Sequence, residues 1–417
     1  MNSTLNTLKT RGFIAQCTDI NGLSDLMDSD PITFYVGCDP TGKSLHIGHI
    51  VPFFAFRHLR AAGHRGIALI GGGTARIGDP SGKTEMRKIL DYSQLDGNAA
   101  AIQTQLQRFL EDSDGKITLY ENNKDWLAEL NYIDFLREIG SHFSVNRMLG
   151  FEAYKKRLET GLSFIEFNYQ LLQSYDFLQL YKKHGCRLQI GGDDQWGNIV
   201  AGIELIRRLY ADGQPKNAQA FGLTFPLLET SSGAKMGKTE KGALFLDPLL
   251  CSPYDFFQYW RNISDSDLRR FLLIFTFLPV EECERLASLK NPNEGKERLA
   301  WEVTALIHGK DEAGHALAGA HAAFCTDGNR EALPSKKLQI EKLSAGYNIV
   351  DLFYDAGLCS TKSEARRLVE QGGAFITQNN ELQPQSDISA LIGKDSLNEY
   401  GELVIRAGKK RVLRILF

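Results

Sequence analysis

Several features of membrane and secreted proteins are missing from this sequence of 417 residues. It has no run of eighteen apolar residues that could span a bilayer. The polar stretch 1–10 lacks the apolar core and small residues of a secretory signal. A content of 43% hydrophobic and 24% charged residues is typical of a water-soluble globular protein. We therefore expect a cytoplasmic protein that has no membrane among its partners.

Paired cysteines are missing as well. The cysteines are odd in number, widely scattered and never in a CxxC pair. Disulfide frameworks and cysteine-based metal sites use regular spacings, so we expect reduced thiols that bind no metal. They are Cys17, Cys38, Cys186, Cys251, Cys283, Cys325 and Cys359.

The chain also lacks a large excess of charge of either sign. Its net charge is -3 and its pI is near 6.3, so the overall field does not favour nucleic acid. Any RNA partner must be held by local basic patches. The mass of 46.6 kDa exceeds that of one ordinary core and predicts two or three domains.

Alternating apolar strands and helices predict an α/β fold in the first part of the chain. A strand at 33–39 is followed by a helix at 46–62. Further strands are predicted at 66–70 and 187–190, and a helix begins near Asp194 with apolar residues at three- and four-residue steps. Strands alternating with helices indicate a Rossmann-like parallel sheet.

Changes in pattern along the chain predict the domain organisation. The parallel-sheet domain covers 1–247 and includes a mostly helical insertion at about 93–185. Only helical patterns follow in 248–325, where serine and proline mark helix starts. A polar stretch interrupted by glycine and proline predicts a linker at 326–346. A small third domain occupies 347–417.

Two histidines, His46 and His49, open the predicted helix directly after the first strand. A helix N-terminus offers N–H groups and partial positive charge, so a phosphate could bind there with both imidazoles as donors. Gly48 would let a flat ligand approach the backbone closely. The alternatives are a zinc pair or two ordinary helix histidines, although no cysteine or glutamate ligand is close in sequence.

A polar loop at 231–242 contains three lysines and three glycines. We expect this loop to be mobile. Taken alone it is more typical of a solvated turn, because lysines are common on surface loops. The loop becomes a specific signal only in combination with the histidine segment.

Together these two segments resemble the hallmark motifs of class I aminoacyl-tRNA synthetases. Residues 46–49 read HIGH, and 235–239 read KMGKT, a variant of KMSKS. Further segments are similar to the bacterial-type tyrosyl-tRNA synthetase family: GDPSGK at 78–83, YQLLQSYD at 169–176 and QIGGDDQWGN at 189–198. The resemblance implies activation of L-tyrosine with ATP, followed by its transfer to transfer RNA.

The resemblance implies roles in the ATP reaction. Because the attacking carboxylate is already an anion, no general base is needed, and catalysis must come from positioning and charge stabilisation. The implied catalytic residues are His46, His49, Thr41, Lys235, Lys238 and Thr239. The implied ATP-binding residues are Gly37, Asp39, His46, Gly48, His49, Gly192, Asp194, Lys235 and Lys238. Mg²⁺ is expected to enter with ATP, without a protein-bound metal or prosthetic group.

The resemblance also implies a tyrosine pocket. Tyr35 and Asp176 would bind the phenolic hydroxyl group. The remaining tyrosine-binding residues would be Asp79, Tyr169 and Gln173, which bind the α-amino group, and Gln189 and Gln195, which complete the pocket. Two departures from the common family pattern, Val36 and Pro52, are expected to change nucleotide affinity rather than abolish activity. Pro52 is expected in the first helical turn, where proline is tolerated.

The last domain resembles the RNA-binding module named after ribosomal protein S-four, on the segment 352–368. This implies a small α+β domain, and Thr361 with Glu364 predicts a capping box at a helix start. The expected RNA-binding residues are Lys362, Arg366, Arg367, Lys409, Lys410 and Arg411. A merely solvated basic surface is the alternative. The implied partners are the transfer RNA for tyrosine, which the helical domain at 248–325 is also expected to bind, and, through the helical insertion, a second copy of the chain.

Two alternative functional hypotheses remain open from the sequence. The tryptophanyl-tRNA synthetase family shares the sheet and the motif order, but Tyr35 and Asp176 favour a hydroxyl-bearing substrate. The other hypothesis is a non-catalytic RNA-binding protein built on a synthetase scaffold. The intact histidines and lysines of the two hallmark motifs argue against it.

Overall fold

The structure of the chain is a computed structural model. It describes residues 1–81, 90–110, 118–210, 219–231, 233, 236, 238–239, 242–322, 333–378, 381–398, 400–408 and 411–417, with only the backbone described at 152, 153, 156, 238, 239, 242, 378 and 381. Two compact units are distinguished: one comprises 1–252 and 262–299, the other 253–261 and 300–417. Within the described ranges, no helix is both long enough and apolar enough to cross a bilayer.

Helices and strands alternate through the first part of the chain. In order they are α1 Ser3–Thr10, β1 Gln16–Cys17, α2 Ile20–Ser29, β2 Thr33–Cys38, α3 Ile47–Ala61, β3 Arg65–Ile70, α4 Tyr92–Leu110, β4 Leu119–Asn122, α5 Lys124–Leu127, α6 Tyr132–Glu138, α7 Val145–Leu149, α8 Glu152–Thr160, α9 Phe164–His184, β5 Cys186–Gly192, α10 Trp196–Tyr210, β6 Phe221–Phe225, β7 Lys238–Thr239 and β8 Gly242–Ala243.

The second part of the chain is helical first and mixed afterwards. Its elements are α11 Pro253–Arg261, α12 Asp265–Phe275, α13 Val280–Ala287, α14 Pro292–His308, α15 Lys310–Ala322, β9 Ser335–Lys337, α16 Ile340–Ser344, β10 Tyr347–Asn348, α17 Ile349–Asp355, α18 Lys362–Glu370, β11 Ala374–Gln378, β12 Glu381–Gln385, β13 Leu391–Ile392, β14 Leu403–Ala407 and β15 Arg411–Leu416. Helices α12 and α13 belong to the first unit, and α11 and α15 to the second. The domain boundaries inferred from the sequence stay a prediction.

The main sheet of the first unit has the strand order β1-β6-β5-β2-β3-β4. Strand β2 pairs in parallel with β3 and β5, β3 with β4, and β5 with β6, whereas β1 runs antiparallel to β6. The order reverses between β2 and β5, because the chain proceeds to one side after β2 and to the other after β5. Ligands commonly bind outside the carboxyl ends of the strands at such a reversal. The predicted Rossmann-like parallel sheet is confirmed.

The central strands are apolar because helices cover both faces of the sheet. Helix α3 packs so closely on β3 that the strand needs a glycine at Gly66. A Cβ atom there would lie 2.2 Å from Cζ of Phe56. A side chain at this position would displace the Phe56 ring and disturb the packing of α3 on the sheet.

Three strands of the main sheet, β1, β4 and β6, were not predicted from the sequence, and β1 has only two residues. Strand β4 lies inside the predicted insertion at 93–185, which otherwise contains helices α4 to α9. Its four residues are partly buried or exposed and form an edge strand, so they lack the apolar run that reveals a central strand. Strand β6 is fully buried, but it is only five residues long, and short apolar runs do not distinguish strand from helix.

Pro52 lies deeper in α3 than the sequence analysis expected. It is the sixth residue of the helix, beyond the first turn, so the predicted position was wrong. Proline there lacks the N–H that would bond the carbonyl four residues earlier, which belongs to Gly48. The helix nevertheless continues to Ala61, because packing of its apolar face outweighs one missing hydrogen bond.

The second unit contains a small sheet with the strand order β12-β11-β14-β15-β9. Helices α17 and α18 contribute buried residues to its core, among them Leu352, Phe353, Ala365 and Val369. This agrees with the small α+β domain in the predicted fold class.

Residues 335–346 of the linker predicted at 326–346 contribute a strand and a buried side chain to the small domain. Strand β9 pairs in parallel with β15, and Leu343 of α16 is buried in the core of the small domain. All three side chains of β9 are exposed. The strand therefore has no hydrophobic alternation that could have marked it in the sequence. Residues 326–332 lie outside the described part of the chain.

Candidate active site

A cavity of about 420 Å³ opens at the carboxyl ends of β2 and β5, where the strand order reverses. Its lining includes every active-site residue named from the sequence whose side chain or glycine is described: Tyr35, Gly37, Asp39, Thr41, His46, Gly48, His49, Asp79, Tyr169, Gln173, Asp176, Gln189, Gly192, Asp194 and Gln195. Lys235 lies outside the described residues. For Lys238 and Thr239 only the backbone is described, in β7.

The two histidines form the start of α3. His46 is the N-cap residue, and its Nδ1 accepts a hydrogen bond from the Gly48 N–H at 3.1 Å. A neutral His46 ring therefore carries its proton on Nε2, which is a donor. The His49 ring stacks on that of His46, with centroids 3.6 Å apart. The helix start thus presents stacked imidazoles beside main-chain N–H groups, an arrangement suited to phosphate.

A side chain at Gly48 would be crowded at this helix start. A Cβ atom would lie 3.0 Å from Cε1 of His46 and 3.0 Å from the Met236 carbonyl oxygen. The zinc alternative gains no support here, since among the described side chains no group of three or more histidine, cysteine, aspartate or glutamate residues could hold a metal ion.

Met236 of the lysine loop and the chain directly after the loop lie against the start of α3. A short antiparallel pairing joins residues 45–47 to residues 244–246, with backbone hydrogen bonds of 2.9 and 3.0 Å. Met236 is buried, and its N–H donates to the Leu228 carbonyl at 2.8 Å. Met236, the one residue of the second hallmark motif whose side chain is described, therefore lies beside the first motif.

Asp176 and Tyr35 form a buried end of the cavity. The Asp176 carboxylate is 2% exposed and accepts hydrogen bonds from Asn123 Nδ2 at 2.8 Å and Trp126 Nε1 at 2.7 Å. Burial raises the pKa of Asp176 to about 8, against the opposing effect of the two donors. Burial also raises the pKa of the Tyr35 hydroxyl. That hydroxyl has no hydrogen-bond partner among the described residues, a costly state that a polar ligand would relieve.

Asn123 and Trp126 were missed by the sequence analysis. Asn123 is buried directly after β4, and its Oδ1 accepts from the Gly73 N–H at 2.7 Å. Its Nδ2 also donates to Thr74 Oγ1 at 2.9 Å, and the Thr74 hydroxyl donates to Asp39 at 2.7 Å. Asn123 thereby connects Asp176 to the turn after β3. A correct prediction of β4 would have pointed to Asn123, because polar side chains at strand ends commonly line such sites, whereas no such signal marks Trp126.

Asp79 and its neighbours form a second polar group. Gln195 Nε2 donates to Asp79 Oδ2 at 2.8 Å, and the Ser81 N–H donates to Oδ1 at 2.9 Å. Across the cavity, the Tyr169 hydroxyl donates to Asp39 at 2.9 Å. Carboxylates and amides around a cavity can bind an ammonium group, whereas the start of α3 favours an anion. The arrangement is therefore suited to a zwitterionic amino acid beside a phosphate compound.

The predicted RNA-binding residues lie in the second unit. Lys362 forms an ion pair with Asp351 at 2.7 Å, and Arg411 donates to the Leu358 carbonyl. Arg366 and Arg367 are exposed on α18. Lys409 and Lys410 lie outside the described residues.

The predicted capping box at the start of α18 is only half formed. Thr361 accepts from the Glu364 N–H at 3.1 Å, as predicted. The Glu364 carboxylate instead accepts from Ser360, at 2.7 Å.

Comparisons with known proteins agree with these observations. The family model described as tRNA synthetases class I (W and Y) matches residues 27–325. The chain is 61% identical over 417 residues to a Tyrosine–tRNA ligase of Treponema denticola, covering all of both chains. It is 60% identical over 416 residues to that of Treponema pallidum, covering 100% of this chain and 99% of the relative.

Solved structures give the same result. A C-terminally truncated mitochondrial tyrosyl-tRNA synthetase of Aspergillus nidulans matches with a TM-score of 0.70 and 30% identity, over 78% of this chain and 95% of that one. A tryptophanyl-tRNA synthetase of Encephalitozoon cuniculi, at 16% identity and a TM-score of 0.55 over 75% of this chain and 87% of that one, shares the fold alone. The chain therefore belongs to the bacterial-type tyrosyl-tRNA synthetases of class I.

Proposed function

We propose that the chain activates L-tyrosine with ATP in the cavity at the ends of β2 and β5 and then transfers it to the transfer RNA for tyrosine. Family membership makes the chain an aminoacyl-tRNA ligase for tyrosine. The observation that best supports the proposed site is the convergence of the Asp176 end, the Asp79 group and the start of α3 on one cavity.

Tyrosine is proposed to bind with its phenol between Asp176 and Tyr35. The phenolic hydroxyl would donate to the Asp176 carboxylate and satisfy the Tyr35 hydroxyl, with Gln189 completing the pocket. Phenylalanine would leave these buried polar groups without partners, which is a strong basis for rejection. The α-amino group would meet Asp79, Tyr169 and Gln173, with Gln195 beside them.

The activation step is proposed to proceed by direct displacement at the α-phosphorus of ATP. A carboxylate oxygen of tyrosine forms the new P–O bond while the bond to pyrophosphate breaks, and no proton is transferred. His46 and His49 would donate to the phosphate oxygens as charge develops, opposite Thr41 and the loop bearing Lys235, Lys238 and Thr239. Such preorganised donors stabilise the transition state more than the ground state. Mg²⁺ would enter with ATP.

The nucleoside is proposed to lie along Gly37, Asp39, Gly192 and Asp194 at the ends of the two central strands. Asp194 is the candidate partner of the ribose hydroxyls, as acidic residues often are near nucleotide-binding sheets. A ribose hydroxyl of the transfer RNA then attacks the tyrosyl carbonyl and displaces AMP.

Transfer RNA is proposed to contact the basic surface of α18. Lys362, Arg366, Arg367 and Arg411, with Lys409 and Lys410, would bind phosphates. Changing Arg366 and Arg367 to alanine should slow aminoacylation and reduce its salt dependence, without changing pyrophosphate exchange. Lys9→Ala, which removes an exposed basic residue of α1 in the first unit, is the control.

Dimer formation through the insertion is proposed from exposed apolar side chains there. Phe164 is 70% exposed, and Ile133, Val145 and Leu158 are also exposed. Large exposed apolar residues in one region favour a protein partner. Light scattering tests this by comparing the molecular mass of Phe164→Asp in solution with that of the unchanged chain. The mass should fall in the variant, and an unchanged mass would contradict the proposal.

The decisive test of the function is amino-acid-dependent exchange of labelled pyrophosphate into ATP. Tyrosine should support exchange, and tryptophan and phenylalanine should not. Exchange driven by tryptophan would favour the tryptophanyl alternative. Absence of exchange with all three would favour a non-catalytic RNA-binding protein.

A further inference from the structure

We propose that Asn198 is a positioning residue that sets the amide orientation of Gln173 and Gln195 at the site for the α-amino group of tyrosine. The inference rests on the proposed function, in which these glutamines and Asp79 surround that group. Asn198 itself is not part of the cavity lining, so its effect on substrate must pass through its neighbours.

Asn198 lies in the first turn of α10, and its buried side chain contacts three other side chains. Its side chain is 4% exposed. The amide nitrogen Nδ2 donates to Gln173 Oε1 at 3.1 Å, to Gln195 Oε1 at 3.2 Å and to Ser81 Oγ at 3.3 Å. These partners come from three separate parts of the chain, and two of them, Gln195 and Ser81, also bind Asp79.

The direction of these hydrogen bonds determines what each glutamine presents to the cavity. Because Asn198 Nδ2 is a donor only, both glutamines must turn their oxygen atoms toward it. Gln195 then directs Nε2 at Asp79 at 2.8 Å and at Asp194 at 3.2 Å. A reversed Gln195 amide would place its oxygen against these two carboxylates, which is electrostatically unfavourable.

Gln173 keeps the capacity to bind an ammonium group in this arrangement. An amide oxygen has two lone pairs, so Oε1 can accept from Asn198 and from the α-amino group at once. Removing Asn198 would release both glutamines and let either amide rotate. The ammonium site would then lose its preorganisation, while the phenol end around Asp176 would be unchanged.

The test uses two tyrosine analogues that differ in the group concerned. Tyramine keeps the amino group and lacks the carboxylate, whereas 3-(4-hydroxyphenyl)propionate keeps the carboxylate and lacks the amino group. Each is measured as a competitive inhibitor of tyrosine-dependent pyrophosphate exchange. In Asn198→Ala, the inhibition constant of tyramine should rise about tenfold, the size of one or two lost hydrogen bonds. That of 3-(4-hydroxyphenyl)propionate should stay the same.

Controls separate positioning from folding. Asn198→Ser keeps a single donor, so the inhibition constant of tyramine should rise less than in Asn198→Ala. If Asn198→Ala does not fold, Asn198→Ser takes its place in the test. Asn291→Ala, which removes an exposed asparagine of the same unit, should change neither constant. In a Gln195→Ala background, Asn198→Ala should have a smaller effect than in the unchanged chain, because the two residues act as a unit.

The inference is overturned if the inhibition constants of both analogues rise equally in Asn198→Ala, since Asn198 would then support the whole cavity and not the ammonium site in particular. It is overturned as well if neither inhibition constant rises. It is also overturned if the effects of Asn198→Ala and Gln195→Ala simply add. Failure of the proposed function has a different signature, namely that the unchanged chain shows no tyrosine-dependent exchange at all.

Discussion

The two ends of the active-site cavity are built in different ways. At the tyrosine end, buried side chains hold one another: Asp176 is fixed by Asn123 and Trp126 before any substrate binds. At the nucleotide end, the main chain dominates, with a helix start at His46 and a glycine, Gly48, where a Cβ atom would be crowded. Side chains with fixed hydrogen bonds can discriminate between substrates, whereas helix N–H groups and stacked imidazoles stabilise charge. The comparison predicts that changes at the tyrosine end affect specificity, whereas changes at the nucleotide end affect the rate of activation or the KM for ATP.

The largest effect is expected from His46→Ala. The variant loses one donor to the phosphate oxygens, so the maximal rate of pyrophosphate exchange should fall about a hundredfold to a thousandfold. The KM for tyrosine should not change, because the tyrosine end keeps its hydrogen bonds. Steady-state exchange assays at varied tyrosine measure both quantities. His315→Ala, an exposed histidine of the second unit, is the control, and a large rise in the KM for tyrosine would contradict the separation of the two ends.

Asp176→Asn should affect specificity instead. Above pH 8, where Asp176 is ionised, the variant has nearly the same shape but lacks the anionic acceptor, so kcat/KM for tyrosine should fall about tenfold to a hundredfold. The kcat/KM for phenylalanine should remain at its low level, because phenylalanine never used this acceptor. Exchange assays with both amino acids give the ratio, and Asp311→Asn is an exposed control. An equal fall in kcat/KM for phenylalanine would mean that Asp176 supports the fold and does not select the substrate.

Gly48→Ala should have a moderate effect confined to the nucleotide. The added methyl group meets the His46 ring and the Met236 carbonyl at 3.0 Å, which should raise the KM for ATP about tenfold through local displacement. Gly42→Ala is the matched control, because a Cβ atom at Gly42 meets nothing within 4 Å. If both variants raise the KM for ATP equally, the close approach at Gly48 is not the cause.

The smallest effect is a shift of pH dependence in Trp126→Phe. Burial raises the pKa of Asp176 to about 8, and the Trp126 N–H opposes this by favouring the charged form. We expect the KM for tyrosine to change with pH as Asp176 ionises. Without the Trp126 donor the pKa of Asp176 should rise further, so this change in KM should occur at a higher pH. A pH series of exchange kinetics tests this, with Asp176→Asn as the variant that lacks the change. A shift to lower pH would contradict the assignment.

The ionisation of Asp176 should also make the free energy of unfolding depend on pH. Because its pKa in the folded chain lies above the ordinary value of 3.8, its contribution to the free energy of unfolding is complete below that value. The contribution is lost as the pH rises through about 8. Denaturant titrations of the unchanged chain and of Asp176→Asn should therefore differ in their slope with pH across this window.

The sequence predicted the contiguous parts of the site well and the dispersed parts poorly. The histidine pair follows a predicted strand and opens a predicted helix, so local pattern and chemistry agreed. Asn123 and Asn198 were not assigned roles, because their partners lie far away in sequence: Asn123 meets Asp176 across 53 positions, and Asn198 meets Ser81 across 117. The exposed strand β9 was read as part of a linker, because only its pairing with β15 makes it a strand.

The amino-acid sequence by itself determined the family, the parallel sheet and the candidate residues, because motifs and hydrophobic periodicity are local properties of the chain. The tertiary structure alone decided which of these residues share a cavity, which groups hold Asp176 and Asp79, and where β4 and β9 join their sheets. These features depend on hydrogen bonds between segments brought together only when the chain folds, and no local pattern encodes their direction or their partners.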